Sequence, residues 1–159
     1  MNQQDLPMLQ YFSSALFSAE LKAGTKAEAL RELVKLVANG GGVRDPELLL
    51  DMLERRESLG STGIGKGVAI PHGRSLAVVS LKVAFAVSRK GVEFDAIDGK
   101  PVKLLFLIVA PPQDKRNEYL PLLGKIAELV QDAKVRQRLA KVDSFRDLQA
   151  IMEETFQHE

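Results

Sequence analysis

The residues best suited to chemistry in this 159-residue chain lie in Gly60–Arg74, GSTGIGKGVAIPHGR. His72 stands behind a glycine-rich stretch and a short apolar run, and the only other histidine, His158, is the penultimate residue. Any histidine chemistry therefore falls to His72. An imidazole so presented can act as a nucleophile and accept a phosphoryl group. The product carries about −1.5 to −2 charges and needs donors or cations close by. Arg56, sixteen residues upstream, is a candidate for that task, and Arg74 is another. Ser61 and Thr62 add hydroxyl donors, while Gly63, Gly65 and Gly67 permit a close approach of backbone. Pro71 stiffens the lead into His72 and Gly73 removes bulk beside it. On the residues alone two other readings stay open. One is a hydrogen-bonded structural histidine. The other is a metal ligand, which lacks the usual companions because the chain has no cysteine and no second internal histidine.

The run Gly60-x-x-x-x-Gly65-Lys66 is close to a phosphate-binding P-loop. That motif requires Ser or Thr next, to hold magnesium, and a helix to follow. Gly67 occupies the hydroxyl position here, and Pro71 forces Ile70 into an extended conformation. The P-loop reading is therefore set aside.

Several elements must position this histidine. Thr25 and Glu28 have capping-box spacing, and Leu30, Leu33, Val34 and Val37 form the apolar stripe of a helix that Gly40–Gly42 stops. Asp45-Pro46 opens a second helix, with Leu49, Leu50 and Leu53 inward and its end near Ser58. Strands are expected at Val68–Ile70, Leu81–Val87 and Val102–Ala110, with Asp98-Gly99 as a turn. The last strand is almost wholly apolar, as a central strand covered on both faces should be. A third helix is expected from about Glu118 to Asp132, with Leu122, Leu123, Ile126 and Val130 inward. A short helical segment, Ala133–Ala140, follows, and Ser144 caps a last helix carrying Leu148, Ile151 and Met152. Residues 1–22 read as a lead-in, with an apolar patch at Leu16, Phe17 and Leu21. Strands interleaved with helices predict an α/β layered fold around one sheet, and no linker divides residues 1–159 into two domains.

The bulk composition agrees. Hydrophobic residues make up 45%, which fits a folded globular chain. A net charge of +1 argues against a dedicated nucleic-acid binder and leaves only a local basic patch open. The longest apolar run, Leu104–Pro112, is too short to span a bilayer. The first ten residues lack a charged n-region, so no signal peptide is expected, and with no cysteine the chain reads as cytoplasmic.

The run Glu57-x6-Ile64-Gly65-x2-Val68-Ala69-Ile70-Pro71-His72-Gly73 resembles the signature of the fructose/mannitol-type enzyme IIA domains of the bacterial phosphoenolpyruvate-dependent phosphotransferase system. The string Leu59–Gly65 is similar to the nitrogen-regulatory, PtsN-like branch. The resemblance extends through Phe94–Val102 and the strand ending Ala110-Pro111, and covers most of residues 10–155. It implies a mixed, mostly parallel sheet flanked by helices. It implies that His72 accepts phosphate at Nε2 from a histidine phosphocarrier protein of the HPr or NPr kind. The onward partners it implies are regulatory target proteins or an enzyme IIB. Arg56 matches the family arginine that stabilises the phosphohistidine. No cofactor and no metal are implied. The chain departs from the family at two positions. Lys66 stands where asparagine is usual, and Tyr119 where many members have a second histidine. A tyrosine can donate a hydrogen bond but carries no positive charge. It can equally be a packed aromatic with a wet hydroxyl.

Overall fold

A computed structural model of the protein describes residues 6–113 and 116–157; His158 lies outside the described residues. Two long strands form the middle of the molecule, β5 (Lys82–Val92) and β6 (Val102–Ala110), paired antiparallel with Phe85 opposite Phe106. β1 (Phe17–Ser18) lies parallel on the far side of β5. On the far side of β6 run β3 (Val68–Ala69) and then β4 (His72–Arg74), both parallel to it. β2 (Gly63–Gly65) folds back antiparallel on β3, so the sheet order is β1-β5-β6-β3-β2 with β4 also on β6. Among the described residues, three of the five pairings are parallel, which is the mixed, mostly parallel sheet expected.

Side chains alternate across a strand, so each of β5 and β6 feeds two cores. One face carries Val83, Phe85, Val87, Leu104, Phe106 and Ile108. It is covered by α3 (Tyr119–Leu129), α4 (Ala133–Leu139) and α5 (Phe145–Gln157). The Phe85 and Phe106 rings lie 4.5 Å apart there. The other face carries the smaller Ala84 and Ala86 with Leu105, Leu107 and Val109, under α1 (Lys26–Asn39) and α2 (Pro46–Ser58). No helix among the described residues is long and apolar enough to cross a membrane.

All three expected N-caps form. The Thr25 hydroxyl accepts from the Glu28 N–H, and the Asp45 carboxylate accepts from the Leu48 N–H. Ser144 accepts from the Asp147 N–H, and Asp147 in return accepts from the N–H groups of Asp143 and Ser144. Those bonds hold the Asp147 carboxyl below the usual carboxylate range.

Several boundaries differ from the sequence expectations. The lead-in is part of the fold: 3₁₀ turns at Leu6–Tyr11 and Ser14–Leu16 bury Met8, Phe12 and Leu16, and Phe17 begins β1. Short 3₁₀ turns and a two-residue strand show neither a 3.6 nor a 2.0 period, so the pattern is silent there. The strand expected at Leu81–Val87 continues to Val92, and that expected at Val68–Ile70 ends at Ala69. The third helix is shorter than expected, and Leu123 is only half-buried.

The glycine-rich stretch contains a strand and a tight hairpin. Lys66 and Gly67 are the two loop residues, both with positive φ (58° and 79°), between the paired Gly65 and Val68. A two-residue loop with positive φ at both positions favours Asn-Gly, because asparagine tolerates the left-handed region. The departure at Lys66 thus falls on a position where conformation decides. Its side chain is exposed, and its N–H donates to Asp98 Oδ2 at 2.9 Å. Lys66→Asn is expected to stabilise the protein by about 0.5–1 kcal/mol by relieving that strain. Urea denaturation at constant m-value measures it, and a loss of stability would contradict this account of the turn.

Candidate functional site

β4 begins at His72. In register with β6, His72 pairs with Ile108 and Arg74 with Ala110, so both side chains point to the face that carries α3. Gly73 points the other way, toward α2, where a Cβ would come within 2.6 Å of the Met52 thioether. Pro71 has no N–H to offer, but its carbonyl accepts from the Ile108 N–H at 3.0 Å and ties the approach to β6. The Ile70 carbonyl is taken by the ring itself: His72 Nδ1 lies 2.7 Å from Ile70 O. A carbonyl oxygen can only accept, so Nδ1 carries the proton. In the neutral ring Nε2 then holds the lone pair and is the nucleophilic nitrogen.

Tyr119 opens α3 and lies beside this ring, with centroids 6.4 Å apart and planes inclined at 53°. It is only 5% exposed. Burial pushes its phenol above the ordinary value near 10, against the opposing positive charges of Arg74 and Arg56, so it is neutral at physiological pH. Arg74 lies on the ring, its Cζ 4.7 Å from the Tyr119 centroid. Arg56 comes from the last turn of α2, half-buried, with Nη1 donating to the Gly60 carbonyl at 2.9 Å. Among the described residues no carboxylate pairs with Arg56 or Arg74. A lone-pair nitrogen and two guanidinium groups without a carboxylate partner, on adjoining elements, suit a doubly charged tetrahedral group.

The hydroxyls put forward from the sequence both donate within the protein. Ser61 Oγ donates to the Phe94 carbonyl at 3.0 Å and accepts from the Gly63 N–H. The Thr62 hydroxyl donates to Glu57 Oε2, and its N–H donates to Glu57 Oε1 at 3.1 Å. Gly63 packs on Ala96, where a Cβ would sit 2.8 Å from the Ala96 Cα. Gly65, with φ +93°, faces Asp98. These residues therefore brace the hairpin against residues 94–98 and the end of α2.

Glu57 entered the sequence reading only as the first residue of the family signature, with no role assigned. Its side chain is 4% exposed and also meets Lys26 Nζ at 3.2 Å. The signal was available: Glu57 follows Leu49, Leu50 and Leu53 at helical spacing, so it continues their inward stripe. A charge at such a position must find partners.

A cleft of about 620 Å³ bounded by Tyr11, Arg44, Leu81 and Pro112 does not include His72. The segments carrying the site instead expose Leu59, Ile64, Leu76, Ile97 and Leu120. Exposed apolar side chains of this kind suit a macromolecular partner more than a small ligand.

Three comparisons place this geometry among known proteins. A fructose-specific EIIA component of a phosphotransferase system from Haloferax volcanii is 37% identical over 139 residues, 87% of this chain and 90% of that protein. The crystal structure of the nitrogen regulatory protein IIA-Ntr from Neisseria meningitidis superposes with a TM-score of 0.83 at 33% identity, covering 92% of this chain and 99% of that one. Enzyme IIAMTL in its complex with phosphorylated enzyme IIBMTL from Escherichia coli gives a TM-score of 0.75 at 26% identity, over 90% and 99%. The profile of the family described as "Phosphoenolpyruvate-dependent sugar phosphotransferase system, EIIA 2" matches residues 10–155, and with that span matched the chain belongs to this family of phosphoryl carriers.

Proposed function

We propose that residues 1–159 form one cytoplasmic phosphocarrier domain in which His72 Nε2 is the phosphoryl acceptor. The observation that carries this reading is the Nδ1 bond to the Ile70 carbonyl, which leaves Nε2 as the nucleophile. The donor is a phosphohistidine protein of the HPr or NPr type. The Nε2 lone pair forms the new N–P bond while the donor's N–P bond breaks, its electron pair returning to the donor imidazole. Because Nδ1 keeps its proton, the phosphorylated ring carries positive charge, and its bond to the Ile70 carbonyl becomes charge-assisted. One N–P bond replaces another, so the exchange is nearly balanced and reversible. Arg56 compensates the phosphoryl charge. Tyr119 packs beside the imidazole and shapes the pocket. Ser61, Thr62, Gly63 and Gly65 hold the hairpin that frames the imidazole.

The role is regulatory: the protein binds target proteins according to its phosphorylation state. The superposition on IIA-Ntr supports that reading. A second reading, delivery of phosphate to an enzyme IIB for sugar uptake, is supported by the fructose-specific relative and by the mannitol IIA–IIB complex. Incubation with phosphoenolpyruvate, enzyme I and an HPr or NPr should add one acid-labile phosphoryl group. No mass increase with any such donor would overturn the carrier reading. Transfer onward to an enzyme IIB in the same assay would favour sugar uptake over regulation.

Arg56→Ala should shorten the lifetime of phospho-His72 about tenfold or more, the worth of one hydrogen bond to a charged group. Following loss of the label over time measures this, and an unchanged lifetime would remove Arg56 from the site.

A further inference from the structure

Arg74 is the least committed charge beside His72. Residues i and i+2 of a strand share a face, so His72 and Arg74 of β4 project together toward α3. Among the described residues Arg74 pairs with no carboxylate. It packs against the face of Tyr119, 4.7 Å from the centroid, and that ring lies 6.4 Å from the imidazole. It also lines an open cleft of about 240 Å³ with Pro112, Asn117 and Leu120, so the guanidinium has room to turn.

We propose that Arg74 is a second cationic arm of the phosphohistidine site, held ready by stacking on Tyr119 and engaging the phosphoryl oxygens once His72 is modified. The inference rests on the phosphocarrier reading above. Arg56 approaches from α2 and Arg74 from β4, so the two guanidinium groups reach the phosphoryl from different elements. An aromatic face orients a guanidinium without neutralising it, which leaves the full charge for an incoming dianion. A carboxylate partner would have had to be displaced. Tyr119 is then a positioning residue that acts through Arg74.

The test uses phosphoramidate, a small donor, so that loss of docking to a protein donor is not mistaken for loss of the arm. Wild type, Arg74→Ala, Arg74→Lys, Tyr119→Leu and the Arg74→Ala/Tyr119→Leu double variant are labelled, and the lifetime of phospho-His72 is followed. Arg74→Ala should shorten it about tenfold, and Arg74→Lys should recover part of that, keeping the charge but losing the planar fork. Tyr119→Leu should shorten it less than Arg74→Ala, and the double variant should match Arg74→Ala alone, because residues acting through one another are not additive. An unchanged lifetime in Arg74→Ala overturns the proposal, and so do additive losses in the double variant. If wild type takes label elsewhere than His72, or takes none, it is the carrier reading that fails, and the proposal with it.

Discussion

His72→Ala is expected to abolish phosphoryl acceptance while leaving a folded protein. The imidazole is half-buried and hydrogen-bonds through Nδ1 to the Ile70 carbonyl. Losing one such bond costs about 0.5–1.5 kcal/mol, well below what unfolds an ordinary domain. The backbone pairing of residue 72 with Ile108 does not depend on the side chain. Other nucleophiles near the site are poor substitutes: the Ser61 and Thr62 hydroxyls donate to Phe94 and Glu57, and the Tyr119 phenol is held neutral. Intact-mass measurement after incubation with the phosphoenolpyruvate-driven donors checks the loss, and a thermal melt checks the fold. A mass increase that survives the substitution contradicts the assignment.

The second large effect concerns Glu57. Its carboxylate receives the Thr62 N–H, the Thr62 hydroxyl and the Lys26 ammonium, and it is almost wholly enclosed. Glu57→Ala would leave the two buried Thr62 donors without their acceptor and leave Lys26 to the exposed Asp95 carboxylate, 3.5 Å away. Breaking a buried pair by removing one partner costs about 3–5 kcal/mol. Glu57→Gln keeps the shape and one acceptor oxygen, so its loss should be smaller. Thr62 precedes β2, and its carbonyl accepts from the Ile70 N–H, two residues before His72. Loosening Thr62 therefore loosens the mount of the imidazole, and phosphorylation of the folded fraction should slow as well. Urea denaturation gives the stability change. A cost for Glu57→Ala within about 0.5 kcal/mol of zero would mean that the network contributes no more than an exposed pair.

The parts of the fold that were legible in the sequence are those with local physical signatures. Thr25 and Asp45 each place a side-chain acceptor three residues before an N–H that needs one, and both helices start where the caps indicate. β6 was readable because a strand covered on both faces has almost no polar residue. His72 stood out because no other internal residue offers its chemistry, and the elimination of a P-loop held because Gly67 and Pro71 cannot open a helix. β2 left no trace, since glycines have no strand propensity and its pairing is enforced by the Lys66-Gly67 turn. The packing of Met8, Phe12 and Leu16 was also hidden, because non-repeating turns carry no period. Glu57 and the Arg74–Tyr119 stack are long-range or buried-charge features. Spacing could have flagged the first as a misplaced charge, but nothing in a linear chain brings residue 74 onto residue 119.

The central claim is that the Ile70 carbonyl holds the proton on His72 Nδ1 and so directs the phosphoryl group to Nε2. Phosphorus-31 and nitrogen-15 NMR on the phosphorylated, histidine-labelled protein tests this at the atom concerned. The expected spectrum has phosphorus coupled to Nε2 of His72, with the Nδ1 proton retained and slow to exchange. Phosphorus bonded to Nδ1, or to any residue other than His72, would contradict the account.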